Sequence, residues 1–225
     1  MKLKELEWAL QEVESFKDPK VGLEQYPTSA HLAARIVYNA EFMFGDIEDK
    51  KVLDLGCGPG IFAVASKILG SAYTLGIDID DDALQIAVQN RDEFELEIDF
   101  LQKNIVNLNL LGSNDGGCGE YLAGSFDTVL MNPPFGTKPG NKGIDMLFLE
   151  KALSLVGNDG AVYSIHKSST RKHIGKKANS FGANMEVLAE MKFDIGKMYK
   201  FHKKKSVDVE VDLLRFSKQS GGKTG

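Results

Sequence analysis

Apolar runs alternate with segments of helical periodicity along most of the chain. Five short apolar runs have the length and composition of buried strands, and they lie at 51–55, 73–77, 98–101, 126–131 and 160–165. Among them, apolar residues recur at helical spacing over 61–69, 83–94 and 144–155. Strands that alternate with helices are typical of βαβ units, in which the strands are parallel. The pattern therefore predicts an α/β fold built on a mainly parallel sheet.

The first 50 residues predict a helical extension in front of this core. The apolar positions of a first helix are Leu3, Leu6, Leu10 and Val13. This helix should end before Pro19, because a proline inside a helix removes a hydrogen bond. A second helix is predicted over 31–44, with Thr28 or Ser29 as its N-cap. The polar segment 23–29 is, by itself, typical of a plain connector.

The last third of the chain predicts two strands with basic segments beside them. Apolar and polar residues alternate over 185–195 and 206–216, as expected of strands. The segment 166–177 carries several basic residues, including Lys167 and Arg171, which suits either a solvated helix face or a phosphate-contacting surface. A second basic segment interleaves aromatic rings with lysines and contains Lys200, Phe201, His202, Lys203, Lys204 and Lys205. Nucleic-acid contact and a plain solvated surface are equally open for this second segment.

Composition and charge fit one globular domain. The chain has 225 residues, of which 43% are hydrophobic and 26% are charged. We expect a single domain over 1–217, including the helical extension 1–50, and a disordered tail over 218–225. The net charge of −5 does not indicate a nucleic-acid-binding protein. However, acidic residues gather at 78–82 and basic residues gather in the final third, so a local basic contact surface stays open.

Cysteine usage and apolar run length exclude several classes of protein. Cys57 and Cys118 are too few for a disulfide framework, and no His/Cys cluster has zinc-ligand spacing, so we expect no metal site. No uninterrupted apolar run approaches about 18 residues, and the segment 1–16 is charged throughout, so we expect neither a membrane span nor a signal peptide. These features predict an intracellular protein in a reducing compartment.

A glycine-rich turn joins the first predicted strand to the following helix. Gly56, Gly58 and Pro59 come directly after the strand, and the helical run begins at Ile61. Glycines at such a position let the backbone approach a ligand that faces the helix N-terminus. The turn is therefore a candidate ligand site, in which Cys57 is a small residue and not a nucleophile.

The ends of the second and third strands supply candidate contacts to a nucleoside. Asp78 lies about twenty residues after the glycine turn, where an acidic residue binds a ribose hydroxyl in dinucleotide folds. The alternative role for Asp78 is to cap the next helix, but Asp80 or Asp81 can fill that role instead. Asn104 and Ile105 follow the third strand and are candidates to contact an adenine ring in the crevice beyond the strand ends.

The tetrapeptide Asn132-Pro133-Pro134-Phe135, called the ledge below, follows the fourth predicted strand. Each proline fixes its own φ and restricts the residue before it, so the backbone is stiff. The side-chain carbonyl of Asn132 and the backbone carbonyl of Pro133 can accept hydrogen bonds from one amino group, and Phe135 offers a ring on which a base can stack. An isolated Asn-Pro pair is more often a tight turn. The full ledge at this place in the fold predicts a site for an exocyclic amine.

Two glycine-rich segments lie on either side of the fourth strand and the ledge. The segment 108–124 is predicted to be a surface insertion without chemistry. The segment 136–143 follows the ledge directly, and we expect it to be mobile and able to close over a substrate.

The order of these signals resembles the class I S-adenosylmethionine-dependent methyltransferases. Within that class the chain closely resembles the eukaryotic methyltransferase-like protein family, in particular its member five, which makes N6-methyladenosine in small-subunit (18S) ribosomal RNA. The resemblance covers nearly the whole chain and is carried by segments 3–7, 23–28, 54–58, 131–138, 166–170 and 200–208. It implies a seven-stranded Rossmann-like sheet with helices on both faces.

The resemblance also implies site residues and partners. The residues around the cofactor S-adenosyl-L-methionine would be Gln25, Thr28, Gly56, Gly58, Pro59, Ile61, Asp78, Asn104 and Ile105, which replaces the connector interpretation of 23–29. Catalysis would belong to the ledge residues Asn132, Pro133, Pro134 and Phe135. The implied partners are ribosomal RNA and a small zinc-ribbon activator subunit in a heterodimer, and the implied location is nucleus and cytoplasm. The chain departs from the family at the glycine-rich insertion, at Pro59 and at Asn104.

The ledge suggests a mechanism that needs no residue with a shifted pKa. If its two acceptors hold both hydrogens of an adenine N6, the nitrogen becomes more tetrahedral and its lone pair points at the methyl group. A nicotinamide dehydrogenase would also use the glycines and Asp78, but it gives the ledge no role. Methylation of a protein glutamine stays open, because that amide is also a planar nitrogen. A non-catalytic methyltransferase fold that serves as a ribosome-assembly scaffold stays open as well.

Overall fold

The computed structural model describes residues 1–108, 122–138, 140–196 and 206–219. Their strands form one seven-stranded sheet, made of β1 (Lys51–Leu55), β2 (Tyr73–Asp78), β3 (Asp99–Gln102), β4 (Phe126–Met131), β5 (Val156–Lys167), β6 (Ala183–Gly196) and β7 (Ser206–Lys218). The strand order is β3-β2-β1-β4-β5-β7-β6. Strands β3, β2, β1, β4 and β5 pair in parallel, whereas β7 is antiparallel to both β5 and β6. The predicted α/β fold with a seven-stranded sheet is confirmed.

Helices cover both faces of the sheet. Within the described residues they are α1 (Leu3–Leu10), α2 (Ala30–Phe44), α3 (Ile61–Ile68), α4 (Asp81–Glu93), α5 (Ile144–Leu155) and α6 (Arg171–Ser180). Helices α1, α2 and α3 form one hydrophobic core with residues such as Val52 and Tyr163, which point to one side of the sheet. Helices α5 and α6 form a second core with residues such as Leu53 and Phe216 on the other side. Since successive side chains of a strand point to opposite faces, a strand covered on both faces is mostly apolar at consecutive positions, as Val52 and Leu53 are in β1.

The predicted bounds of β1 to β4 and of α2 to α5 hold to within two residues, whereas β5 starts four residues before its predicted start. Ser29 caps α2 by accepting a hydrogen bond from the backbone N–H of Leu32 at 3.3 Å. Helix α1 ends at Leu10, three residues before the last apolar position of its pattern, and Val13 packs against the same core from the turn that follows. Strand β7 includes Lys218, so the predicted tail over 218–225 starts within this strand.

The parallel strands bring the candidate residues to one edge of the sheet. Strand β1 lies between β2 and β4, so the crossover connections leave β1 in opposite directions. This is the topological switch point, where open α/β sheets bind ligands beyond the carboxyl ends of their strands. The glycine turn, Asp78 and the ledge follow β1, β2 and β4 and therefore meet there. The strand order alone therefore brings these three segments together.

Three predicted segments lie outside the described residues in whole or in part. Residues 109–121 of the predicted insertion, residues 197–205 with the second basic segment, and the tail from 220 onward fall in this category. The predictions about these segments, including RNA contact by Lys200, Phe201, His202, Lys203, Lys204 and Lys205, stay predictions.

Candidate active site

The glycine turn approaches its neighbours so closely that side chains would not fit. Gly56 and Gly58 have φ of 74° and 51°, in the left-handed region that favours glycine. A Cβ on Gly56 would lie 2.9 Å from the ring of Phe148, and one on Gly58 would lie 2.6 Å from the ring of Phe16. The turn thus exposes backbone, not side chains, to the crevice at the N-terminus of α3.

Asp78 links the turn to the end of β2. Its Oδ2 accepts a hydrogen bond from the N–H of Gly58 at 2.8 Å, and its Oδ1 accepts one from the N–H of Asp80 at 2.9 Å. Its side chain is buried, and burial raises the pKa of this carboxyl. The N-cap of α4 is Asp80, which accepts a hydrogen bond from Asp82 at 3.3 Å. Asp78 therefore does not cap α4, and its side chain lies at the carboxyl end of β2, where a ligand can bind.

A cavity at the carboxyl edge of the sheet brings together most of the predicted cofactor residues. Gln25, Gly56, Asp78, Asn104 and Ile105 all line it. Its remaining lining includes Phe16, Pro134, Ile144 and Phe148, so part of the ledge borders the same space. Residues that follow four separate strands and residues of the N-terminal extension thus surround one crevice.

The other predicted cofactor residues lie around a neighbouring cavity. Thr28, Pro59 and Ile61 line it, together with Leu10 and other residues of the N-terminal extension. Gly58 lies in the turn between the two sets of residues and is bonded to Asp78. The predicted cofactor residues are therefore contiguous around the glycine turn but do not line a single cavity.

The ledge is held in place by the N-terminal extension and by aromatic packing. The Nδ2 of Asn132 donates a hydrogen bond to the Thr28 hydroxyl at 3.0 Å, which fixes the amide and leaves its Oδ1 as an acceptor for a second group. The Phe135 ring packs edge to face with Phe193, at 6.1 Å between centroids. The ammonium of Lys167 lies 5.6 Å from the centroid of the Phe135 ring.

The two basic candidates of the segment 166–177 have different surroundings. Lys167 lies beside the ledge, at the end of β5. Arg171 instead donates two hydrogen bonds to the buried Asp212, at 2.6 and 2.7 Å, and a third to Glu190 at 2.7 Å. Lys167 is therefore the better placed of the two to meet a nucleic acid near the site, since the guanidinium of Arg171 already has carboxylate partners.

Asp54 is a buried carboxyl group next to the site, and the sequence reasoning did not single it out. It lies in β1 just before the glycine turn and is 1% exposed. Its Oδ2 accepts a hydrogen bond from the N–H of Ala63 at 3.0 Å, but its Oδ1 has no partner among the described residues. Burial, and to a smaller extent the Asp78 carboxylate, raise the pKa of Asp54 to about 8. The sequence offered one signal for Asp54: it is an acidic residue inside an apolar strand, directly before a glycine turn.

The segment 20–28, called the strap below, has a larger role in the site than its sequence pattern indicates, which is typical of a plain connector. The Lys20 ammonium is bonded to Asp80 and, at 2.7 Å, to Asp82. The Nε2 of Gln25 donates a hydrogen bond to Asp80 at 2.7 Å. Although burial opposes it, these bonds hold the pKa of Asp80 below its usual value. The strap is thereby fixed to the loop between β2 and α4, and Glu24, next to Gln25, fixes it to a second loop.

Three features find no support in the described part of the chain: a metal site, a membrane-crossing helix and a thiolate at Cys57. No group of three or more His, Cys, Asp or Glu side chains is placed to hold a metal ion there. In the same part, none of the helices has the length and apolar character needed to cross a membrane. Burial raises the pKa of the Cys57 thiol well above its usual value, which disfavours a thiolate nucleophile.

Comparison with solved structures identifies the class of the fold. A Pyrococcus horikoshii protein described as a candidate RNA methyltransferase is 32% identical, covers 98% of this chain and 99% of its own, and superposes with a TM-score of 0.81. The family model "Ribosomal protein L11 methyltransferase (PrmA)" matches residues 41–116, which include the glycine turn and Asp78. Fold and site together define a class I methyltransferase.

Full-length relatives define the family more narrowly. The chain is 50% identical to rRNA N(6)-adenosine-methyltransferase METTL5 of Danio rerio, over 96% of this chain and 99% of the relative. It is 48% identical to rRNA N(6)-adenosine-methyltransferase Mettl5 of Drosophila melanogaster, over 96% of both chains. The chain belongs to the family of rRNA N(6)-adenosine-methyltransferases, as its sequence motifs predict.

Proposed function

We propose that this protein transfers a methyl group from S-adenosylmethionine to the N6 of an adenosine in small-subunit (18S) ribosomal RNA. The observation that carries the proposal is the ledge at the switch point, where Thr28 holds the amide of Asn132 with its Oδ1 available. The relatives named for rRNA adenosine N6 methylation support the choice of substrate. Neither a dehydrogenase nor a silent scaffold requires this arrangement.

The residues at the carboxyl edge fit S-adenosylmethionine, the cofactor of this class of enzyme. Asp78 would bind the ribose hydroxyls, the backbone of the glycine turn would lie against the cofactor, and Asn104 and Ile105 would contact the adenine. The Oδ1 of Asp54, which has no partner among the residues that the structure describes, would suit a cationic group, and S-adenosylmethionine carries one at its amino-acid end. The bound cofactor supplies an electrophilic methyl group on a sulfonium.

The ledge prepares the adenine amine for attack. The N6 lone pair is delocalised into the ring, so this amine is a poor nucleophile. Asn132 Oδ1 and the Pro133 carbonyl would accept hydrogen bonds from its two N–H groups and favour a tetrahedral nitrogen whose lone pair leaves the ring plane. On transfer, S-adenosylhomocysteine would be the leaving group, and the methylated nitrogen would lose one of its two original protons to water. Thr28 fixes which end of the Asn132 amide faces the substrate, because its hydroxyl accepts from Nδ2. Catalysis thus rests on position and on fixed dipoles.

Phe135 holds the target base outside its own stack. An adenosine in a loop or at an unpaired position can be turned out at the lowest cost in stacking energy. The ring of Phe135 is already fixed by Phe193, so the enzyme loses little side-chain entropy when the base stacks on it. Lys167, at 5.6 Å from that ring, is placed to meet the neighbouring phosphate. Lys200 to Lys205 remain candidates for the same role.

A small zinc-ribbon subunit is proposed as the protein partner. Strand β3 is an edge strand of the described sheet. Ile79 and Val106, two exposed apolar residues next to its carboxyl end, extend from this edge to the cofactor cavity, which they also line. An exposed sheet edge with apolar surface suits a partner that adds a strand and covers it. Co-expression with the zinc-ribbon subunit should raise both the yield and the melting temperature, because a ligand of the native state stabilises it. A chain that is equally stable and active alone would contradict an obligate pair.

The proposed location is nucleus and cytoplasm. The support is the family resemblance and the ribosomal substrate, since ribosomal RNA is present in both compartments. Fractionation of cells that express a tagged chain, followed by immunoblotting, would detect the protein in both fractions. A signal confined to membranes or to the secreted fraction would contradict the proposal.

A direct test of the proposed function separates RNA from protein as the methyl acceptor. The purified chain, with and without the zinc-ribbon subunit, is incubated with methyl-labelled S-adenosylmethionine and either total RNA or total protein. We expect label in small-subunit ribosomal RNA. Label in protein alone would support glutamine methylation instead, and no transfer with intact cofactor binding would support the scaffold role.

A further inference from the structure

Glu24 lies at the centre of the strap and is bonded to the loop that follows the ledge. Its side chain accepts hydrogen bonds from the N–H of Thr137 at 3.0 and 3.1 Å, from the Thr137 hydroxyl at 2.7 Å and from the N–H of Lys138 at 3.3 Å. The amide Nδ2 of Asn141 donates a further bond at 3.0 Å. One carboxylate thus gathers donors from three residues within five positions of the chain.

Glu24 is costly to place where it is. It is 4% exposed, and its φ of 51° lies in the left-handed region, which residues with a Cβ adopt at a cost. Within the described part of the chain its donors are all neutral groups, so hydrogen bonds stabilise the charge there and no ion pair does. Although burial opposes it, the bonds from Thr137, Asn141 and Lys138 hold the pKa of Glu24 below its usual value. The carboxylate is therefore ionised at neutral pH.

The neighbours of Glu24 in the strap contact the two halves of the site. Gln25 lines the cofactor cavity and is bonded to Asp80, whose own N–H donates to Asp78. At the other end of the strap, Thr28 is bonded to Asn132 of the ledge. Glu24 lies between these two contacts. It is the strap residue whose side chain fixes the segment after the ledge.

The loop that Glu24 holds begins two residues after Phe135. Asn141 of this loop also donates to the carbonyl of Gly22 at 2.9 Å, so the strap holds the loop at two points. Asn141 and Pro134 line the same cavity as Gln25. The segment 136–143, predicted to be mobile, is in this state bonded to the strap through its described residues. Release of Glu24 would free the loop at the point where it leaves the ledge.

We propose that Glu24 is a positioning residue for methyl transfer: by holding Thr137, Lys138 and Asn141 against the strap, it keeps Pro134 and Phe135 in the orientation that receives the target base. The proposal rests on the proposed function and adds to it a residue that touches neither the base nor the cofactor. Loss of the carboxylate should weaken use of RNA while cofactor binding, which depends on Asp78 and the glycine turn, persists.

The test compares Glu24→Gln with Glu12→Gln, a matched change at an exposed acidic residue of the N-terminal extension. An amide of the same size offers one acceptor and turns a donor towards the donors of the loop. Since hydrogen bonds to a charged group are strong, we expect kcat/KM for RNA to fall roughly 10- to 100-fold in Glu24→Gln. The dissociation constant for S-adenosylmethionine should stay within about twofold. Glu12→Gln should change neither quantity.

Hydrogen exchange supplies a readout that does not depend on RNA. The amides of Thr137 and Lys138 donate to Glu24, so they should exchange faster in Glu24→Gln while the amides of β1 and β4 keep their protection. Thr137→Val removes only the hydroxyl donor, so it should show a smaller fall in RNA turnover and a smaller increase in amide exchange. This second variant keeps the test decisive if the Glu24 variant does not fold. Unchanged exchange at 137 and 138, or an equal loss of cofactor affinity and RNA turnover, would overturn the role of Glu24. A wild-type chain that methylates no RNA would instead refute the proposed function.

Discussion

The glycine turn and the strap serve the same site but are built in different ways. The turn is local, because the N–H of Gly58 donates to Asp78, a residue 20 positions further along the same βαβ unit. The strap acts over long distances, because Thr28 and Asn132 are 104 residues apart, and Glu24 and Thr137 are 113 residues apart. The turn therefore depends on strand topology, whereas the strap depends on side chains that meet only in the folded chain.

The difference divides the site into two tasks. Residues of the turn and of β2 face the cavity for the cofactor, and their loss should weaken cofactor binding. In the proposed mechanism, Glu24 and Thr28 of the strap and the ledge orient the amine that receives the methyl group, so their loss should slow transfer with the cofactor still bound. Variants in each region should show whether the two tasks separate in this way.

The largest effect is expected for Asn132→Ala. The change removes one of two acceptors at the reacting amine and leaves the glycine turn and Asp78 intact. Loss of one preorganised hydrogen-bonding group at a reacting centre lowers the rate on the order of 10²–10³-fold. Single-turnover transfer to RNA measures the rate, and calorimetry measures cofactor affinity.

Thr28→Val provides the control for Asn132→Ala. It keeps the Asn132 side chain but removes the hydroxyl that accepts from Nδ2 at 3.0 Å. Its rate should fall less than that of Asn132→Ala. Full activity of Asn132→Ala, or a parallel loss of cofactor affinity, would mean that the ledge and the turn do not divide the work.

The opposite pattern is expected for Asp78→Ala. A charge-assisted hydrogen bond contributes ~1.5–3 kcal/mol, so the affinity for S-adenosylmethionine should fall roughly 10- to 100-fold. At saturating cofactor, the transfer rate should recover much of its wild-type value, because the ledge is unchanged. An unchanged dissociation constant by calorimetry would remove Asp78 from the cofactor site.

The glycine turn can be predicted from sequence patterns more fully than the strap can, for a physical reason. Periodicity and glycine spacing report which local geometry a segment can adopt, so β1, Gly56 and Asp78 could be placed from the sequence, as could the ledge after β4. The partner of Glu24 follows from the packing of residues 113 positions apart, and no local pattern encodes it. Only the family resemblance drew Gln25 and Thr28 into the site.

Asp54 shows a second limit of sequence reasoning. An acidic residue in a strand looks like a local exception until burial is known, and the missing partner of its Oδ1 is visible only in three dimensions. The two predicted basic candidates differ for the same reason. Lys167 and Arg171 are close in sequence, but only Arg171 has the buried Asp212 as a partner.

Phe135→Ala should have an intermediate effect, which falls on both RNA binding and methyl transfer. Stacking of a base on an aromatic ring contributes ~1–3 kcal/mol, so RNA binding at the target adenosine should weaken by a corresponding amount and transfer should slow. Cofactor affinity should persist. Fluorescence anisotropy with a short target RNA measures the binding, and an RNA that lacks the target adenosine should bind wild type and variant equally.

The smallest expected effect is the release of a proton from Asp54 when the cofactor binds. With its pKa raised to about 8, Asp54 is mostly protonated at pH 7 in the unbound enzyme. A cationic ligand favours the carboxylate and lowers this pKa, so binding releases a proton, and affinity rises by at most about tenfold per pH unit up to pH ~8. Calorimetry in buffers of different ionisation enthalpy should show this release. Equal release in Asp54→Asn would assign the proton to another group.

The position of the new methyl group tests the central claim most directly, because the ledge is an arrangement for an exocyclic amine. Small-subunit ribosomal RNA is treated with the enzyme and S-adenosylmethionine that carries a deuterated methyl group, then digested to nucleosides and analysed by mass spectrometry against standards of each methyladenosine isomer. The account predicts that the deuterated methyl group is on N6 and that Asn132→Ala suppresses this product. A methyl group on a ring nitrogen, on a ribose hydroxyl or on another base would contradict it.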